Sequence, residues 1–177
     1  MGNLLTGLIA ATLGVGALLL ALRRGSRWPR RVAQVSALIF AVLATLLALQ
    51  AERGSAGPHL HWLPGIEPVA LVLDAPGIYL VALLYWILAL GTAFPKGWIP
   101  HEGIAGFWPG LAHFLCGLVA AALTIDHFLA RIVLLDLVSL GVMILLFIDL
   151  RSPDFPFPFH FRYLIFRLGD MGLLLMV

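Results

Sequence analysis

Apolar residues in this chain fall in long unbroken blocks, with neither the strict alternation of half-buried strands nor the narrow stripe of a surface helix. The blocks 3–22, 32–51, 70–94, 104–124 and 127–150 each reach the roughly 20 residues that a helix needs to cross a hydrocarbon core. A further block runs from 161 to 177. The pattern predicts an all-α polytopic membrane protein with about six transmembrane helices in a single membrane domain over 1–177. Gly54-Ser55-Ala56-Gly57-Pro58 and Pro64-Gly65 break the chain between the second and third blocks, a composition that suits a short turn or hairpin. The very short link around Ile125-Asp126 predicts that the fourth and fifth helices are antiparallel neighbours.

Composition supports a bilayer as the solvent. Of 177 residues 62% are hydrophobic and 11% charged, with mean hydropathy +1.03; soluble domains carry about 25% charged residues. The net charge of +2 does not suggest a nucleic-acid partner, because the arginines sit between apolar spans. Arg23, Arg24, Arg27, Arg30 and Arg31 crowd one loop, which predicts a cytoplasmic loop and an N-terminus outside. Alternation then places Lys96 and Arg151 inside and the 52–69 segment outside. The first block lacks a basic leader and is longer than a signal-peptide core, so a retained span is expected. Trp28, Trp62, Trp98, Trp108 and Tyr163 fall near expected span ends, the aromatic-belt pattern. A single cysteine, Cys116, excludes an internal disulfide and a cysteine-based metal cluster.

The candidate chemistry lies in ionisable residues within the spans. Asp136 lies about nine residues into the fifth block, hence ~13 Å deep, where a carboxylate is costly unless paired, hydrated or protonated. Ser139 follows at i+3 on the same face. A transport site and a protonated packing residue are the two readings. Arg167 and Asp170, three apart, share one face of the sixth block; they form either a structural ion pair or part of a relay. His113 belongs to a stripe with Gly103, Gly106, Gly110, Gly117, Ala121 and Thr124 at 3/4 spacing. Such a stripe marks a close helix–helix seam, so His113 is expected to face protein, either as a satisfied structural histidine or as a group that passes protons. Asp74 suits the start of the third helix as a cap. His59 and His61 lack the further ligands a metal requires, and no metal site is expected. No phosphate loop, nucleophile triad or haem motif is present.

Several segments together resemble a known family. Leu73-Asp74, Thr124-Ile125-Asp126-His127-Phe128-Leu129, Leu135-Asp136-Leu137-Val138-Ser139 and Tyr163-Leu164-Ile165-Phe166-Arg167-Leu168-Gly169-Asp170 occur in the order seen in antiporter-like membrane subunits of respiratory complex I. They are most similar to the largest, distal subunit type, which also occurs in Mrp-type antiporters and inorganic-carbon accumulation systems. The resemblance covers the N-terminal portion of that family. It implies that Asp136 stands where the family has a fifth-helix glutamate, which pairs with a lysine on a broken seventh helix. It further implies that the later helices are carried on another chain of a split or truncated subunit.

The expected function is a membrane subunit contributing to proton translocation in a complex I-like or related energy-coupling assembly. Asp136, Asp170, Arg167, His113 and Ser139 are the proton-path candidates. No residue is assigned to catalysis and no cofactor is expected, because the driving reaction would occur on other subunits. The expected partners are other membrane subunits and the lipid bilayer, in a bacterial-type inner membrane. The alternative is a non-conducting scaffold of the same kind of complex.

Overall fold

The computed structural model describes residues 2–21, 28–50, 55–60, 69–73, 75–93 and 107–149. Among them are five helices and one two-stranded hairpin. The helices are α1 (Gly2–Ala21), α2 (Trp28–Gln50), α3 (Ala75–Ala93), α4 (Phe107–Thr124) and α5 (Phe128–Asp149); the strands β1 (Ser55–Leu60) and β2 (Val69–Leu73) lie between α2 and α3. Helices dominate because a chain surrounded by hydrocarbon must satisfy every backbone N–H and C=O within its own segment. Four of them, Gly2–Ala21, Trp28–Gln50, Pro76–Ala93 and Phe107–Thr124, are long and apolar enough to cross a membrane.

The expected 70–94 helix is shorter at its start. Residues 70–73 pair as a strand, and α3 begins at Ala75. Val69 and Val72 favour extended backbone, and β1 offers a partner within reach of a short connection. The pairing is antiparallel, Ser55 opposite Leu73 and Leu60 opposite Val69, with an irregularity between Ala56 and His59. Gly57 and Pro58 there oppose Leu71 alone. A bulge at that point suits Pro58, which has no N–H to donate to the ladder. Leu73 therefore closes a strand instead of opening a helix, and Asp74 lies outside the described residues. The all-α expectation is thus amended by one hairpin, which packs against α1. Arg30 and Arg31, expected in the connecting loop, are exposed on the first turn of α2. The 161–177 helix falls outside the described residues.

Packing follows an inverted size rule. The inward face of α2 is built from Ala33, Ala37, Ala41, Ala44 and Ala48, whereas Val35, Leu38, Ile39, Val42, Leu43, Leu46 and Leu49 are exposed. In water, an outer surface of large aliphatics would drive association. In lipid there is no hydrophobic drive to bury them, and small residues let backbones approach for van der Waals contact. The buried centre joins Leu5 and Ile9 of α1, Phe40 of α2, Ile78, Val81 and Tyr85 of α3, and Cys116 and Ala120 of α4.

The closest crossing is between antiparallel α1 and α4. A Cβ on Gly16 would stand 2.7 Å from the backbone nitrogen of Phe114, and one on Gly110 would stand 2.9 Å from that of Leu20. Only hydrogen fits between these backbones. The small-residue seam expected of α4 is therefore real for Gly110 and Gly117, and its partner is α1. Helix α5 sits at the side of this bundle and packs chiefly on α4.

Candidate functional site

The turn from α4 into α5 is held by local hydrogen bonds. Thr124 Oγ1 donates to Ala120 O at 2.9 Å in the last turn of α4. The Ala130 N–H reaches His127 Nδ1 at 3.4 Å, so His127 accepts one of the first, otherwise unsatisfied amides of α5. Arg131 Nη2 donates to Ile125 O at 2.7 Å, spanning the link. These contacts fix α5 antiparallel to α4, as its short link predicts. A recess of about 90 Å³ remains between Ala122, Leu123, Arg131 and Leu135; ligand pockets usually measure several hundred Å³.

Asp136 lies in the second to third turn of α5. Two faces of this helix are covered. Ala130 and Gly141 are buried and Leu134 and Val138 half-buried on one; a Cβ at Gly141 would run into the Leu115 side chain, which identifies that face as the one on α4. The second face carries Ile132, Asp136 and Ser139, all half-buried, and Met143, which is only 6% exposed. At ~100° per residue, Asp136 projects about 140° away from Gly141. Asp136 and Ser139 therefore share a sheltered face, as their spacing predicts, and that face is turned away from α4.

His113 occupies a different place. It is 0% exposed, and both ring nitrogens are engaged. Nδ1 lies 2.7 Å from the Pro109 carbonyl, and Nε2 lies 3.0 Å from Ser36 Oγ of α2. A carbonyl can only accept, so Nδ1 carries a hydrogen. Ser36 Oγ also lies 3.1 Å from Ala33 O. Phe40 packs edge-on against His113 and against Tyr85, with ring centroids 6.4 Å and 6.2 Å away. Beyond Phe40, the Tyr85 hydroxyl meets Thr12 Oγ1 at 2.9 Å, and Thr12 donates to Leu8 O at 2.7 Å. Since Thr12 has one hydroxyl hydrogen, Tyr85 is the donor of that pair. Four helices thus contribute to an interior row of five polar or aromatic side chains: Thr12 from α1, Ser36 and Phe40 from α2, Tyr85 from α3 and His113 from α4.

The structure separates two of the proton-path candidates. His113 faces α2, while Leu115, which meets α5, projects about 160° away from it. Asp136 in turn faces away from α4. The imidazole and the carboxylate therefore belong to two sites with α4 and the α4–α5 seam between them. Arg167 and Asp170 lie outside the described residues, as does His61. Among the described residues no three His, Cys, Asp or Glu side chains converge on a metal position.

Ser36, Thr12 and Tyr85 were not singled out by their sequence. Hydroxyl residues in apolar helices commonly donate to the carbonyl one turn back, as Thr6, Thr45 and Thr92 do here. A hydroxyl reaching across to another helix looks the same in sequence. Neither the protein-family models nor the curated proteins compared with this chain give a match.

Proposed function

We propose that this chain is a membrane subunit that contributes to proton translocation, as the N-terminal part of an antiporter-like subunit in a complex I-like or related energy-coupling assembly. The observation that carries the reading is the position of Asp136. It is a carboxylate eight residues into an apolar 22-residue helix, beside Ser139, on a half-buried face that does not serve the α4 contact. Purely structural carboxylates in membranes are rare because each costs several kcal/mol to accommodate. One held at a seam between elements can change its protonation as its surroundings move.

The reading includes six spans, an outside N-terminus and an inner-membrane location of bacterial type. Orientation is supported by the arginines before and on the first turn of α2. Resemblance of the Asp136 and Arg167/Asp170 segments to the complex I family supports the host assembly, with other membrane subunits as partners. Asp136→Asn in the assembled complex is expected to reduce proton pumping without loss of assembly. Unchanged pumping would refute the role of Asp136.

The second reading is a non-conducting scaffold. It draws on the four-helix bundle, whose buried Thr12, Tyr85 and His113 all have hydrogen-bond partners within the chain. A complex that assembles normally and pumps normally with both Asp136→Asn and His113→Gln would favour it.

A further inference from the structure

The His113–Ser36 contact has a property that the buried Thr12–Tyr85 pair lacks. Thr12 and Tyr85 have one arrangement of hydrogens: Tyr85 donates to Thr12, which donates to Leu8 O. Ser36 has one hydrogen and two acceptors in reach, His113 Nε2 at 3.0 Å and Ala33 O at 3.1 Å. With Nδ1–H committed to Pro109 O, two complete patterns exist. In the first, the ring is neutral and Ser36 O–H donates to Nε2. In the second, the ring carries a proton on both nitrogens, Nε2–H donates to Ser36 Oγ, and Ser36 O–H turns to Ala33 O. No heavy atom has to move between them. A hydroxyl rotation of one side chain accommodates either charge state.

Resting on the proton-handling reading above, we propose that His113 Nε2 and the Ser36 hydroxyl form a second proton-binding site, separate from Asp136. The proton comes from water at the end of the bundle where α4 begins, about 9 Å of helix rise from His113. It adds to the Nε2 lone pair, the ring gains one positive charge, and the Ser36 hydrogen swings from Nε2 to Ala33 O; release reverses each step. The side chains facing this interior are Ser36 and Phe40 from α2, Tyr85 from α3, Thr12 from α1 and Cys116 from α4. Among the described residues no Asp, Glu, Lys or Arg is buried there, and Arg30 and Arg31 are exposed at the start of α2. Phe40 places an apolar ring against both His113 and Tyr85, so the hydrogen-bonded chain of His113 does not continue into the Tyr85–Thr12 pair. The site therefore exchanges with one side of the bundle.

The test uses the full chain in lipid nanodiscs with 15N-labelled histidine, the His113 signals being assigned by their loss in His113→Gln. At alkaline pH the expected ring has a protonated Nδ1 and an unprotonated, hydrogen-bonded Nε2. On acidification Nε2 gains its proton while helical circular dichroism is retained. Ser36→Ala removes the hydrogen-bond shift of the Nε2 signal, and Ser36→Thr restores it. A ring protonated on Nε2 alone, a ring that stays neutral wherever the helices persist, or protonation only as helicity is lost would each overturn the proposal. Asp136→Asn is expected to leave the His113 titration unmoved, and a moved titration would overturn the separation of the sites. Loss of pumping is read on Asp136 alone, so the two proposals fail independently.

Discussion

Helices α1–α4 and helix α5 are built from the same apolar alphabet and place their polar groups differently. In the four-helix bundle, each buried polar side chain finds its partner inside the chain: Thr12 with Tyr85, His113 with Ser36 and Pro109. These contacts cross between α1 and α3 and between α2 and α4, so they also hold the helices in register. Among the described elements α5 packs chiefly on α4, and Asp136 lies half-buried on the face away from it. A polar group satisfied at the centre of a bundle fixes that bundle. The contrast is between polar contacts that tie helices together across the bundle and a carboxylate on the side of α5 away from it, with Ser36 placed between His113 Nε2 and Ala33 O.

The contrast breaks most readily at the α1–α4 crossing. Gly16→Leu puts a side chain where a Cβ alone would already stand 2.7 Å from a backbone nitrogen. Backbone cannot yield as a side chain can, and a loss of about 3 kcal/mol or more is expected, read as loss of folded protein in mild detergent. Gly141→Ala tests the α4–α5 seam, where the obstacle is the end of the flexible Leu115 side chain. Its cost is expected to be smaller, about 1–2 kcal/mol, in thermal unfolding followed by circular dichroism. If the two substitutions cost the same, the bundle is no more rigid than the α5 contact.

The Thr12–Tyr85 bond sharpens the comparison. A double-mutant cycle of Thr12→Val and Tyr85→Phe is expected to return a coupling of about 0.6–1.5 kcal/mol in favour of the pair. A coupling near zero would mean that the clasp does not hold the bundle. Asp136→Asn is expected to change stability by less than about 1 kcal/mol, because the amide keeps the volume and avoids a charge, while its effect falls on pumping. A large destabilisation with intact pumping would make Asp136 structural. The smallest effect belongs to Trp86→Phe. It removes the exposed Trp86 Nε1 to Thr45 Oγ1 bond of 3.0 Å, and a change within about 0.5 kcal/mol is expected.

Much of this fold is legible in sequence because a membrane imposes a simple rule. Long apolar blocks must be helices, and their ends appear wherever charge, proline or glycine accumulates; the bounds of α1, α2, α4 and α5 fall within a few residues of the blocks that predict them. The start of α3 was less legible. Val69–Leu73 is as apolar as the helix it precedes, and only the presence of β1 opposite decides that it extends. The glycine stripe correctly marked α4 as a seam, since small residues are the means by which helices approach in lipid. That α1 is its partner was not readable, because Gly16 carries no mark distinguishing it from Gly7 or Gly14, which face open space.

The sequence by itself determined the helices, four of them long and apolar enough to cross a membrane, and drew attention to ionisable groups inside apolar runs, where their cost in hydrocarbon would make them conspicuous. Their spacing also determined that Asp136 and Ser139 share a face. Tertiary structure alone decided which groups meet. His113 and Asp136 project to opposite sides of the α4–α5 pair. Ser36, ordinary in an apolar run, becomes the partner of the imidazole. Helical periodicity fixes the direction of a side chain relative to its own axis, whereas the rotation of each helix against its neighbours is set by which small residues interlock, and that choice is made only when the helices pack.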